Sequence, residues 1–392
     1  MVVRKILLYP NRKQKQLLKQ WCGTYRWIYN SCVRLWESHH LDLNQSRVGL
    51  RSDIRKAVID KEALRYLPWA LKVPYDVRDG AVREFMQNLT TELGKCKNAR
   101  EQGREHHFRL SYKSRFDSSM FVQVLKRNWS KGRWFPTCLG PKPLRGAEPL
   151  PLKLEQDCKL VKTRFNRFYL CIVTKRSAPV PPPAAYKGSC IALDPGIRTF
   201  LTGYDPSGRV IEIGANDSDG LFRMCKKVDL IMSKVHKAAN HKQRYQRSKA
   251  AARAREAIKN RVTDLHRKTA KYLCETFETI FLPLFQSSSM VRRSTRKIRS
   301  RTARMMMTFS HYTFRQHLIH KAKDYQGVHV VLVDEAYTSK TCGACGCLHN
   351  KLGGSKLFRC PECSLEMDRD VNGARNIYIR SVEALGGCVS IS

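Results

Sequence analysis

Cys342-x2-Cys345 and Cys360-x2-Cys363, fourteen residues apart, constrain this chain more than any other feature. Each pair makes a tight knuckle bearing two sulfurs. Two knuckles supply the tetrahedral four-sulfur set that zinc prefers, with Zn–S distances near about 2.3 Å. The chain over 338–366 is therefore expected to fold as a ribbon around one Zn²⁺. Four thiolates leave no open position for water, so this metal is structural. Cys347 and His349 lie close enough in sequence to stand as rival ligands. The other cysteines, Cys22, Cys171 and Cys274 among them, read as small buried hydrophobes. The total of fifteen is odd, and the opening MVVRKILLYPNRKQ turns charged at once, which points to a reducing compartment and no secretory signal. No apolar run reaches the roughly 18 residues that cross a bilayer, so no membrane partner is expected.

Charge is the second constraint. Lys and Arg number 73 against 33 Asp and Glu, a net +40 over 392 residues. So large an excess opposes compaction unless a polyanion neutralises it. An acidic metabolite does not need it and a nucleic acid does. A hydrophobic content of 42% excludes a wholly disordered basic tail. The length suggests two to four domains.

Along the chain, VVRKILLY (2–9) reads as a strand stopped by Pro10. Asn11 then caps a helix over 12–37, where Leu18, Trp21, Tyr25, Ile28, Cys32 and Leu35 recur at helical spacing. Aromatic residues at that spacing, Trp21, Tyr25 and Trp27, read as core rather than as stacking platforms. Helical patterns continue to about Arg104. Short β-rich runs then occupy 107–176, suggesting a small barrel that the strand at 1–10 joins and into which 11–106 is inserted. The Pro-rich 177–187 is the best domain boundary. Beyond it come strand, turn, strand, turn and strand in SCIALDPGIRTFLTGYDPSGRVIEIG, then a long helical stretch over 224–280. Its residues 226–268 carry fourteen Lys or Arg against three acids. Residues 286–308 hold seven basic residues and no acid. A helix over 311–323, a strand GVHVVLVDE (327–335), the cysteine ribbon and a helix over 371–385 complete the reading.

Three carboxylates end apolar strands or open helices in this half: Asp194 after CIAL, Glu335 after HVVLV, and Asp370 at the start of the last helix. Acids drawn from separate segments suit two Mg²⁺ ions about 3.5–4 Å apart, which activate water and stabilise a leaving oxygen in phosphodiester cleavage. Each also has a plainer reading. Asp194 can close a turn and Asp370 can cap its helix. Asp334 and Asp368 are rivals, and strand alternation shows only that Asp334 and Glu335 face opposite ways. Glu212 reads as an exposed strand residue.

These motifs resemble the RuvC-like nuclease of transposon-encoded TnpB proteins and of their eukaryotic relatives, the Fanzor proteins. The likeness rests on KILLYPNRKQKQLLKQWCGTYRWIYN (5–30), IALDPGIRTFLT (191–202), YTSKTCGACG (337–346), CPEC (360–363) and RDVNGARNI (369–377). It implies an α/β multidomain fold: a RuvC-like (RNase H-like) nuclease over 188–392 with an inserted zinc ribbon, a helical recognition lobe over 11–106, and a wedge-like β-barrel from 1–10 and 107–176. By position, Asp194 matches the first catalytic aspartate and Asp370 the last, which demotes Asp368. The middle glutamate departs from the usual pattern. TIFLPLFQSSSM carries Pro283 in its place, while VDEAYTS carries Glu335 where many relatives have proline. This exchange resembles the relocated glutamate of Fanzor proteins and selects Glu335 over Asp334.

The resemblance further implies an RNA-guided, Mg²⁺-dependent DNA endonuclease. Its partners would be an omega-type guide RNA, one protein per guide, and a double-stranded DNA target beside a short adjacent motif. A nuclear address follows only if the host is eukaryotic. Arg292, Arg293, Arg296 and Arg299 would line the channel or gate the site, and Lys113 and Arg115 would touch phosphates. The competing reading is a transposon-derived zinc-ribbon regulator that binds RNA or DNA without cutting it. A strand-joining transposase is a third.

Overall fold

The computed structural model describes residues 1–38, 46–140, 142–181, 188–285, 287–294, 296, 298–333, 338–350, 352–353 and 355–384. Its chain contacts divide it into two units, Met1–Arg176 and Ser177–Ser392.

In the first unit the order is β1 (Val2–Leu8), α1 (Arg12–Glu37), α2 (Arg47–Val58), the one-turn α3 (Pro68–Leu71), α4 (Tyr75–Glu101) and β2 (Ser119–Val124). The two-residue strands β3 (Trp129–Ser130) and β4 (Arg133–Trp134), the one-turn α5 (Pro136–Leu139), β5 (Cys158–Thr163) and β6 (Phe168–Thr174) follow. Asn11 starts α1 with a full capping box. Its side chain accepts from the Gln14 backbone at 2.9 Å, and the Gln14 side chain accepts from the Asn11 backbone at 3.0 Å. The 3.6-residue period then buries Leu18, Trp21, Tyr25, Ile28 and Cys32 on one stripe. Trp21 sits edge-on against Trp134 at 5.1 Å, and the Tyr25 hydroxyl donates to the Gly80 carbonyl at 2.9 Å. These rings are core. The described strands make an antiparallel sheet in the order β1-β6-β5-β2. It is open, with β1 and β2 at its edges, so the sheet corrects the expected barrel. Four strands of six or seven residues cover the helices without needing to close on themselves.

In the second unit β7 (Cys190–Pro195), β8 (Leu201–Tyr204) and β9 (Val210–Ile213) form an antiparallel meander. The helical stretch is two helices, α6 (Asp217–His236) and α7 (His241–Thr276), because Asn240 restarts the helix by accepting from the Gln243 backbone at 2.9 Å. Strand β10 (Thr279–Pro283) returns parallel to β7. The one-turn α8 (Ser287–Met290), α9 (Ser300–Phe309) and α10 (His311–Ala322) lead to β11 (His329–Val333), parallel to β10. The short ribbon hairpin β12 (Leu357–Arg359) and β13 (Glu366–Asp368) runs directly into α11 (Arg369–Ala384). The sheet order is β11-β10-β7-β8-β9.

Alternation gives this sheet two apolar faces. Ile191, Leu193, Ile280 and Leu282 pack with Leu273, Phe314 and Leu318 of α7 and α10. Cys190, Ala192 and Phe281 pack on the other side with Ile377 and Tyr378 of α11, flanked by Val331 and Val333. Asp194 continues the second series, so its side chain leaves the sheet on the α11 face.

Candidate active site and zinc site

Asp194 sits at the carboxyl end of β7, level with Thr202 of β8. The chain turns sharply after it. The Gly196 N–H donates to the Phe200 carbonyl at 3.2 Å, and a Cβ at 196 would fall 2.5 Å from the Thr199 carbonyl oxygen. The turn rests on a buried imidazole: His311 Nε2 lies 3.0 Å from the Gly196 carbonyl, and its ring stacks on Phe200 at 5.0 Å. Burial pushes the His311 pKa down to about 4. The ring is therefore neutral, with Nε2 carrying the proton that it donates.

Helix α11 brings Asp370 to the same place. A Cβ at position 373 would lie 2.7 Å from Asp194 Oδ2, so only glycine lets the helix approach this carboxylate. Asp370 stands three residues earlier, on the neighbouring turn. Asp194 thus approaches the helix face that carries Asp370 one turn earlier. Burial, and then the nearby Asp368, raise the Asp370 pKa, while Arg369, Arg198 and Lys356 act against them. Asp368 has a different occupation. Its Oδ1 accepts from the Asp370 backbone at 2.8 Å, and its Oδ2 lies 3.5 Å from Lys356. It caps the helix that carries Asp370.

Glu335 and its rival Asp334 lie outside the described residues. The frame around them is described: Pro283 ends β10, buried, level with Val333 of β11. Proline offers that end of the strand no metal-binding oxygen from its side chain. A cavity of about 650 Å³ opens at the turn that follows β7, bordered by Arg198, Thr199, Glu212, Asp219, Arg301 and Lys356; neither Asp194 nor Asp370 lines it.

The four ribbon cysteines converge, with ligand atoms all within 4.8 Å of one another. The Cys342–Cys363 and Cys345–Cys360 sulfurs are 3.6 and 3.5 Å apart. A tetrahedron with 2.3 Å Zn–S bonds has edges near about 3.8 Å, so the set fits zinc. The backbone N–H of Cys363 points at the Cys360 sulfur from 3.5 Å and, against burial, holds that thiol down to about 6. Among the described residues no other group of three or more His, Cys, Asp or Glu is arranged to hold a metal. Cys347 and His349 stay outside the set. Cys347 accepts the Cys342 N–H through its carbonyl at 2.8 Å, and the His349 ring packs on Phe358 at 6.1 Å between centroids.

The ribbon is tied to α11 by two asparagines that the sequence reading passed over. Asn372 Nδ2 donates to the Thr341 carbonyl at 2.7 Å, and its Oδ1 accepts from Gly343 N at 3.1 Å. Asn376 Nδ2 donates to the carbonyls of Thr338 and Thr341, both at 2.7 Å. The signal was available: two amides four apart on a helix share a face.

The basic residues divide. Lys113 is largely buried, with Nζ 2.7 Å from Glu84 and over the Tyr29 ring at 4.5 Å. This lysine is committed to an internal pair, which corrects its expected place at a phosphate. Arg115 is exposed and stacks on Phe116. Arg301 pairs with Asp219 at 2.6 Å, and Arg304 with Asp229. Arg292, Arg293 and Arg299 are exposed and Arg296 half-buried, and none has a carboxylate partner among the described residues. Arg296 instead donates to Ser300 Oγ at 2.8 Å. In the first unit, the buried Asp79 gathers Arg51, Arg55 and Arg83 at 2.7–2.9 Å. No helix among the described residues is long and apolar enough to cross a membrane.

A mixed sheet with Asp194 at a strand end, against a helix tied to a four-cysteine ribbon that could hold zinc, defines an α/β protein with a strongly basic chain. Comparison with known proteins narrows this class. Residues 311–377 match the model of the Cas12f1-like TNB domain, and residues 3–40 match a helix-turn-helix domain model. A TnpB-like protein of Acanthamoeba polyphaga mimivirus is 27% identical over 389 residues, covering 95% of this chain and 72% of that one. An Escherichia coli protein provisionally named an RNA-guided DNA endonuclease is 24% identical over 392 residues, 95% of this chain and 90% of that one. Among solved structures, a cryo-EM structure of a CRISPR-Cas12f ternary complex covers 93% of this chain and is covered to 80%, at 17% identity and a TM-score of 0.38. The sequence likeness to TnpB-like proteins runs the length of the chain.

Proposed function

We propose that this protein is an RNA-guided DNA endonuclease whose RuvC-like second unit cuts DNA with Asp194, Glu335 and Asp370. The observation that carries the reading is the contact of the Asp194 carboxylate with α11 at Gly373, one turn from Asp370. Burial and Asp368 work against the ionised form of Asp370, and a pair of divalent cations held between it and Asp194 would reverse that cost. Bound there, Mg²⁺ supplies Lewis acidity at the scissile phosphate and lowers the pKa of the attacking water.

The residues themselves supply the geometry. The turn at Gly196 and the His311 proton hold Asp194 at the strand end. Asp368 caps the helix that presents Asp370. Arg198 and Lys356 act electrostatically on Asp370 and favour its ionised form. Glu335 is proposed as the third acid on the motif resemblance, in which VDEAYTS carries a glutamate where many relatives have proline. Pro283, at the end of β10, stands where the usual pattern has its glutamate.

The four cysteines are proposed to hold one structural Zn²⁺. The net +40 and the exposed arginines at 292, 293 and 299, which have no carboxylate partner among the described residues, suit the backbone of a guide–target heteroduplex, where base pairing reads the sequence. The names carried by the relatives support the same reading.

The test is to purify the protein with the RNA that accompanies it, sequence that RNA, and offer a DNA target matching its guide in Mg²⁺. The wild type should cut and Asp194→Ala should bind without cutting. If both bind the guided target and neither cuts, the protein is a non-cleaving regulator.

A further inference from the structure

Helix α11 is shared by the zinc ribbon and the acid site. Asn372 is fully buried and Asn376 is 6% exposed, and both bond to the chain entering the first knuckle. Asn372 uses both ends of its amide, bracketing Cys342 by bonding to Thr341 and Gly343. Asn376 bonds to Thr338 and Thr341. The second knuckle joins the same helix covalently. Strand β13 runs into Arg369, whose N–H donates to the Lys356 carbonyl at 2.8 Å and whose guanidinium donates to Gly353 O at 3.0 Å. Between these attachments stand Asp370 and Gly373, the latter against Asp194. Buried amides satisfied at this many atoms fix one arrangement, because any slip leaves them unpaired away from water.

We propose that Asn372 and Asn376 are positioning residues that make the divalent-cation affinity of the carboxylate site depend on an ordered, zinc-loaded ribbon. They touch no substrate. They act through Asp370, by fixing the rotation and height of the first two turns of α11 against β7. The inference rests on the carboxylate pair as a metal site, but not on RNA guidance. Zinc binding and cation binding are thereby coupled free energies, and the coupling is reciprocal.

The test uses the full chain, with zinc content read by mass spectrometry and Mn²⁺ binding read by electron paramagnetic resonance. Mn²⁺ takes the same oxygen ligands as Mg²⁺. Asn372→Ala and Asn376→Ala are made singly and together. Each single variant should keep one zinc and a cooperative, somewhat lowered melting transition, while Mn²⁺ binds roughly 10–100-fold more weakly. Removing zinc from the wild type with a chelator should cost a similar factor, and removing it from the double variant should add little further loss. Unchanged Mn²⁺ affinity in the zinc-loaded single variants overturns the proposal. So does a loss on chelation that is the same in wild type and double variant. Loss of zinc from both single variants also overturns it, since the asparagines would then hold the ribbon rather than align the acids. If the wild type binds no Mn²⁺, the carboxylate site itself falls. A protein that binds Mn²⁺ as described but cuts no guided target loses the function above and keeps this coupling.

Discussion

At Asp370 the structure stores an electrostatic cost. Burial and Asp368 raise its pKa, so the fold favours the protonated form. For an acid raised in this way, the stabilising contribution is complete below the unfolded value of 3.8 and is lost as pH rises through the folded one. At neutral pH without divalent metal, ionised Asp370 therefore destabilises the second unit. Asp370→Asn should raise the melting temperature of the metal-free protein while abolishing cleavage, as calorimetry and a guided cutting assay would show. Glu335 carries the sharper bet. Glu335→Gln should lower guided cutting by about a hundredfold or more with target binding intact, and cutting at the full rate would return the middle position to another residue. Asp194 and Asp370 were singled out by their likeness to the TnpB motifs. Asp368 was not separable from Asp370 by spacing, because its capping role appears only when its carboxylate is seen on the Asp370 N–H. Lys113 was misjudged for a related reason: its partner Glu84 lies on a helix that the strand-rich segment gives no hint of touching.

The elements were legible where one period dominates. Helix α1 has the expected bounds, because Asn11 and Gln14 cap it and a single apolar stripe runs its length. The break between α6 and α7 was missed, since charged helical sequence flanks it on both sides and Asn240 reads as one more polar residue. The barrel was over-read from short strands, whose number and closure are decided by neighbours. The connection of β7 to α10 through His311 had no sequence signal at all. That ring is neutral in the fold, with its pKa down from 6.5 to about 4. For a histidine lowered in this way, stability is fully present above 6.5 and is lost as pH falls toward 4. Buried His266, lowered by burial as well, acts in the same sense. Denaturant titrations should show a midpoint falling between these pH values, and His311→Phe should flatten that fall. An unchanged slope would place the acid sensitivity elsewhere.

For the whole molecule, the net charge sets an expectation independent of any single residue. Affinity for guide and target should fall steeply with salt, with a log–log slope near about −0.9 for each duplex phosphate neutralised. Replacing Arg292, Arg293 and Arg299 together by glutamine should shallow that slope by up to about 3 without altering the melting temperature. A slope that does not move would free this segment from nucleic acid. Sequence alone raised the four-cysteine ribbon through local spacing and a nucleic-acid partner through the sum of its charges, while Asp194 and Asp370 came from the resemblance to TnpB motifs. Tertiary structure decided what the remaining polar groups do. It turned Asp368 into a cap, Lys113 into an internal pair, and Asn372 and Asn376 into the tie between the cysteine ribbon and α11. A polar side chain's role is set by which partner its burial leaves within reach, and that partner is brought there by the fold from a distant part of the chain.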